Sequence, residues 1–178
     1  MLNDIFKKYV KPASQDTSLI NESICEKCSG NCCKAMGCHI SPFDLKEISV
    51  QSIINFIDEA KCISLDWWEG NPITNKHDGS KGFYLRIRNL NSPIVDPAYA
   101  RQCSLLTDTG CPLAFEYRPK GARELVPGVT ECKVQYSKQQ CAIDWLPYAD
   151  VLQSVYDYYV SKGESADVLE NFLMHFLD

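Results

Sequence analysis

Five of the chain's ten cysteines fall within fifteen residues, in the run "CEKCSGNCCKAMGCH" at positions 25–39. Such a run constrains the fold more than any hydrophobic pattern. Its thiols must pair as disulfides, gather on a metal, or stand apart as a reactive centre. Size does not force the first choice: 178 residues with 45% hydrophobic content can build one core without covalent help. The N-terminal "MLNDIFKKYVKPAS" interrupts its apolar residues with Asp4, Lys7 and Lys8 and lacks a continuous apolar stretch, which argues against a secretory leader. No run reaches the length of a membrane span. The expectation is a cytoplasmic protein, where clustered cysteines more often bind metal or do redox chemistry than form bridges.

The run spells C-x2-C-x3-C-C-x4-C-H through Cys25, Cys28, Cys32, Cys33, Cys38 and His39. A C-x2-C pair lets two thiolates approach one ion from a tight loop, as in zinc knuckles and iron–sulfur loops. Soft sulfur selects zinc or iron over magnesium or calcium. Neighbouring side chains diverge, however, so Cys32 and Cys33 can share one ion only on an uncommon backbone. The run does not readily close a saturated site by itself, which directs attention to the distant Cys103, Cys111, Cys132 and Cys141. Cys62, after an apolar helical stretch, reads as an inert buried thiol. Cys38 is balanced between ligand and core, and His39 between ligand and a hydrogen-bonding role beside the ligands.

Periodicity predicts a short amphipathic helix over 2–10 and another over about 50–61, with Ile53, Ile54 and Ile57 on one face. Between them, Ser41, Pro42 and Asp44 of "SPFDLKEI" form a helix-start pattern. One strand is predicted, "FYLRIR" at 83–88. The C-terminal part, 142–178, reads as helical, with Tyr148, Leu152, Val155, Tyr156 and Tyr159 in a core-facing stripe and Gly163 as a stop. The expected fold class is therefore mainly α, with irregular metal-binding loops and a small β element. It would be a single domain over 1–178, cross-linked by metal through a cysteine-cluster region at 25–132.

A net charge of −5 argues against a nucleic-acid partner, and the local Arg118, Lys120 and Arg123 group reads as a solvated face. No Walker loop, G-x-S-x-G, H-E-x-x-H or G-x-G-x-x-G occurs, and the D-T-G triplet at 108–110 reads as a turn.

Two blocks of the sequence together resemble the YkgJ-type cysteine-cluster proteins, described as carrying a zinc- or iron-chelating domain. The first is Cys25, Cys28, Cys32 and Cys33 followed by "ISPFDLKEI" with Asp44; the second is "CSLLTDTGC" with Cys103 and Cys111, followed by "YRP" at Arg118 and Pro119. The resemblance covers roughly residues 25–132. It departs where the family has a cysteine and arginine soon after "RP": this chain has Ala122 and Arg123, and Cys132 from a longer loop is the candidate replacement. That arrangement is similar to the flagellin lysine-N-methylases.

The resemblance implies a metal ligand set of Cys25, Cys28, Cys32, Cys33, Cys103, Cys111 and Cys132. Seven thiolates exceed one tetrahedral site, leaving open two metals, or a 4Fe–4S cluster with a spare thiolate. The expectation is a zinc- or iron-binding protein of undefined reaction. Its alternatives are an iron–sulfur-dependent enzyme that modifies a protein partner, and a zinc-stabilised interaction module.

Overall fold

The computed structural model describes residues 1–14, 31–35, 37–97, 101–108, 110–126 and 133–165, with the backbone alone at 31 and 32. Helix α1 (Leu2–Tyr9) is followed by a single turn, α2 (Asn31–Ala35), and a two-residue strand, β1 (His39–Ile40). Helix α3 (Val50–Ala60) then leads into two long strands, β2 (Ile63–Asn71) and β3 (Lys76–Ile87). After an irregular stretch come α4 (Lys120–Arg123), the short strands β4 (Leu125–Val126) and β5 (Lys133–Val134), and the helices α5 (Lys138–Trp145) and α6 (Ala149–Ser161).

The expectation of a mainly α chain cross-linked by metal is corrected. The described residues form a three-stranded antiparallel sheet, in the order β1-β3-β2, and a two-stranded β4–β5 ribbon, so strands and helices share the framework. Among the described residues, no group of three or more His, Cys, Asp or Glu is arranged to hold a metal ion. The strand expected at 83–88 falls on β3, whereas β2 was not foreseen. Residues 63–67 of β2 and 82–87 of β3 are buried throughout, so the polar positions of their alternating patterns, Ser64, Asp66 and Arg86, face the interior instead of solvent.

Local chemistry explains the elements. Ser49 caps α3 by accepting the Ser52 amide at 3.2 Å, and Lys61 ends the helix in the left-handed region at φ 55°. The β2–β3 hairpin turns where the Asn71 side chain accepts the Ile73 and Thr74 amides at 2.9 and 3.1 Å. Ser41 and Asp44 do form a reciprocal cap, but it closes only a 3-10 turn at Pro42–Asp44 rather than a helix. The cysteine run therefore leads into strand and turn, not directly into a helical hairpin. Gly163, at φ 76°, follows the end of α6 as the sequence pattern indicates. Of the helical part expected over 142–178, residues 166–178 lie outside the described residues.

The two faces of the sheet differ in chemistry. On one, Leu65, Trp67, Phe83 and Leu85 are buried, and the Tyr156 ring of α6 packs 5.1 Å from Phe83. Phe6 and Tyr9 of α1 extend this apolar body by packing on Phe56 of α3 at 5.2 and 5.0 Å. On the other face, register places Ser64 opposite Arg86 and Asp66 opposite Tyr84, beneath α5. Arg86 and Asp66 are fully buried and joined by Nε to carboxylate at 2.9 Å. Arg86 also donates to the Asp96 carboxylate at 3.1 Å and to the Ile87 carbonyl at 3.0 Å. Among the described residues, no helix is long and apolar enough to cross a membrane.

Removing one partner from a buried ion pair leaves the other as an uncompensated interior charge. Asp66→Ala should therefore lower stability by about 3–5 kcal/mol, read as a lower urea midpoint at unchanged slope. A loss under about 1 kcal/mol would contradict this role for the network.

Candidate functional site

Strand β3 continues past Ile87, and this extension organises the described cysteines. On one side, the Arg88 amide donates to the Cys62 carbonyl at 2.7 Å, carrying the pairing with the β2 side onward. On the other, segment 102–104 runs antiparallel to 88–90: Leu90 donates to Gln102 O at 2.7 Å, and Ser104 to Arg88 O at 2.9 Å. The residues before β1 close against the same extension, with Ile87 donating to Cys38 O at 2.9 Å and Gly37 to the Asn89 side chain at 3.1 Å. A methyl group at Gly37 would lie 1.9 Å from the Ile87 carbonyl oxygen, so only glycine permits this approach.

Two segments some seventy residues apart thus meet at one strand end. Their meeting is direct: the Cys103 amide donates to the Cys33 carbonyl at 2.7 Å. The side chains meet as well. The Cys33 thiol donates to the Cys103 sulfur, and the Leu105 amide donates to it too. The Cys33 contact is the larger influence, and together the two donors hold Cys103 below the ordinary thiol value against its burial. An amide two residues beyond a cysteine, aimed back at its sulfur, stabilises the thiolate a soft metal requires.

Other cysteines differ in environment. Cys62 is buried, and burial pushes its thiol up to about 12 despite the opposing charge of Arg88. Arg88 itself donates through Nε and Nη2 to the Ile63 carbonyl at 3.2 and 2.9 Å. Cys141 is wholly buried in α5, 3.5 Å from the Ile40 carbonyl, and its thiol is raised strongly by burial. Both environments favour the protonated thiol. Cys38 and Cys111 are half-buried, and Cys111 follows a tight turn in which Thr107 and Gly110 exchange backbone hydrogen bonds at 3.0 and 3.1 Å.

Of the seven residues in the ligand set, the structure describes the side chains of Cys33, Cys103 and Cys111. It brings the first two into contact. Cys25, Cys28 and Cys132 lie outside the described residues, as does the Cys32 side chain.

The "SPFD" and "YRP" blocks also converge. Asp44 is buried and accepts from the Ser41 amide, the Lys120 amide and Arg123 Nη2, at 2.9, 2.9 and 2.6 Å. Arg123 is thus tied to an acid rather than belonging to a purely solvated basic face. Behind it, α4 presses on β1 so closely that a methyl group at Gly121 would lie 2.8 Å from the backbone nitrogen and oxygen of His39. This clamp fixes the strand that follows the cysteine run.

Sequence reasoning passed over Gly37, Asn89 and Leu105. Asn89 is fully buried and bridges the two cysteine segments, yet a lone buried asparagine carries no spacing signal. The Leu105 contribution is made by a backbone amide, which any residue but proline would supply.

Compared with known proteins, no family model, no curated protein and no solved structure matches the chain.

His39 lies apart from this sulfur contact. It packs edge-on against Tyr84 at 5.3 Å, donates to the Tyr136 carbonyl, and leaves Nε2 without a partner among the described residues. Burial, the largest influence, lowers its pKa to about 4, so it stays neutral. A depressed folded value gives stability that is present above pH 6.5 and lost as pH falls toward 4. Asp44, raised by burial, acts in the opposite sense, so the comparison must isolate the histidine. Between pH 7 and 4.5 the wild type should lose about 2–3 kcal/mol relative to His39→Gln, measured by urea unfolding. Equal pH profiles for the two proteins would contradict the neutral, buried assignment.

Proposed function

We propose that this protein binds a soft metal ion, zinc or iron, through cysteine thiolates gathered at the end of β3, with Cys33 and Cys103 among the ligands. The observation that supports the reading is the convergence on the Cys103 sulfur: a second thiol and a backbone amide both point at it. Two soft donors at one point, one of them held below the ordinary thiol value, suit a tetrahedral sulfur site better than a hard oxygen site. Further thiolates would come from Cys25, Cys28, Cys32, Cys111 and Cys132. Cys141 stands outside the proposed set, its thiol wholly buried in α5 against the Ile40 carbonyl.

The test is elemental analysis of protein purified without oxygen, with an absorption spectrum to separate colourless zinc from coloured iron–sulfur. Zinc plus iron should reach at least about one equivalent per chain, and about four of iron for a 4Fe–4S cluster. Cys33→Ser and Cys103→Ser should each lower bound metal by about tenfold or more at limiting supply, while Cys141→Ser should retain it. Wild-type protein without zinc or iron, or undiminished metal in both variants, would overturn the reading.

A further inference from the structure

We infer that Cys33 and Cys103 form a reversible disulfide when the protein meets a peroxide, making this pair a thiol oxidation site. The proposal stands on the geometry of the pair and not on metal binding. The two residues are tied through their backbones by the 2.7 Å hydrogen bond from Cys103 N to Cys33 O, and their sulfurs are already in hydrogen-bond contact. A disulfide needs its sulfurs about 2.05 Å apart and its backbones within side-chain reach. The existing contact therefore requires only a small closing movement. Both cysteines carry reduced thiols in the structure.

Exposure divides the two roles. Cys33 is half-buried, so a small oxidant reaches it, whereas Cys103 is buried with only 5% exposed. The Cys33 sulfur attacks one peroxide oxygen as it gives up its thiol proton: the S–O bond forms, the O–O bond breaks, and the departing hydroxide takes that proton and leaves as water, giving a sulfenic acid. The Cys103 sulfur then attacks the Cys33 sulfur, forming the S–S bond as the S–O bond breaks and hydroxide leaves. The hydroxide takes the proton that Cys103 gives up, so a second water results. Across both steps two thiols lose two electrons and two protons, and one hydrogen peroxide becomes two waters.

Burial separates this pair from two of the other described thiols. Cys141 lies within α5 against the Ile40 carbonyl, and Cys62 is buried beside the first residue of β2. Neither presents an accessible sulfur to begin the sequence. If metal also uses Cys33 and Cys103, oxidation and metal binding compete for the same two atoms, and oxidation would release the ion.

The test treats the metal-free full chain with hydrogen peroxide, blocks remaining thiols, and maps links by non-reducing digestion with tandem mass spectrometry. The expected result is a Cys33–Cys103 link as the dominant product, loss of two thiols per chain, and full recovery with dithiothreitol. In Cys33→Ser the link should vanish while the Cys103 thiol remains. Dominant links between other cysteines, including Cys32–Cys33, or peroxide consumption without any link, would overturn the proposal. Prior zinc loading should slow linkage by about tenfold or more where the metal occupies these sulfurs. Linkage at an unchanged rate would count against the metal reading while supporting the disulfide, so the two ideas fail separately.

Discussion

The guanidinium of Arg86, buried in the middle of the sheet, is the constraint on which the remaining architecture depends. An ionised arginine with no exposed surface must have its donors satisfied in place. Asp66 on the neighbouring strand takes one donor, Asp96 on the following loop another, and the Ile87 carbonyl a third. These partners set the β2–β3 register with Ser64 opposite Arg86, and they draw the loop at 94–96 alongside β2. A shift of one residue would place Arg86 on the apolar face against Leu65 and move Leu85 off it. The register is thus specified by charge as much as by hydrophobic contact.

That fixed strand delivers its end to the cysteines. Ile87, Arg88, Asn89 and Leu90 present backbone groups in two directions, and the segments bearing Cys38 and Cys103 bind to them. Gly37 allows the closest approach, and Asn89 receives the Gly37 amide within the interior. Cys33 and Cys103 then meet as a consequence of sheet pairing, not of sequence proximity. On the far side of β1, Asp44 gathers Ser41, Lys120 and Arg123, holding the chain that leaves the cysteine run. Two hydrogen-bonded clamps therefore flank the sulfur contact. Preorganised donors of this kind lower the ordering cost that a metal or a disulfide would otherwise impose.

The sequence made some of this legible. Helical periodicity located α1 and α3 because each buries a single face, with Phe6 and Tyr9 in one and Ile53, Ile54 and Ile57 in the other. The resemblance joined the run at 25–39 to the block at 103–111 in one expected ligand set, and the structure places Cys33 beside Cys103. Of the sheet, the strand at 83–88 was legible, while the alternating "ISLDW" of β2 was passed over among the turn signals that follow it. In β2, "ISLDWWEGN" places Ser64 and Asp66 in the interior, where a polar residue ordinarily signals the surface. Their burial makes sense only once Arg86, twenty residues away, is known to face them. Likewise Arg123 read as part of a basic surface because its partner Asp44 is seventy-nine positions distant. Short-range patterns carried the helices and thiol spacing, while charge pairs between remote segments were beyond them.

In the proposed site, Cys33 and Cys103 would both donate sulfur to one soft metal. X-ray absorption at the metal edge tests this most directly, because it counts the atoms around the ion rather than the ion itself. Wild-type protein is predicted to show a shell of sulfur at about 2.3 Å, with one sulfur replaced by a lighter atom in Cys103→Ser. A shell made of nitrogen and oxygen, or a sulfur count identical in wild type and Cys103→Ser, would contradict it.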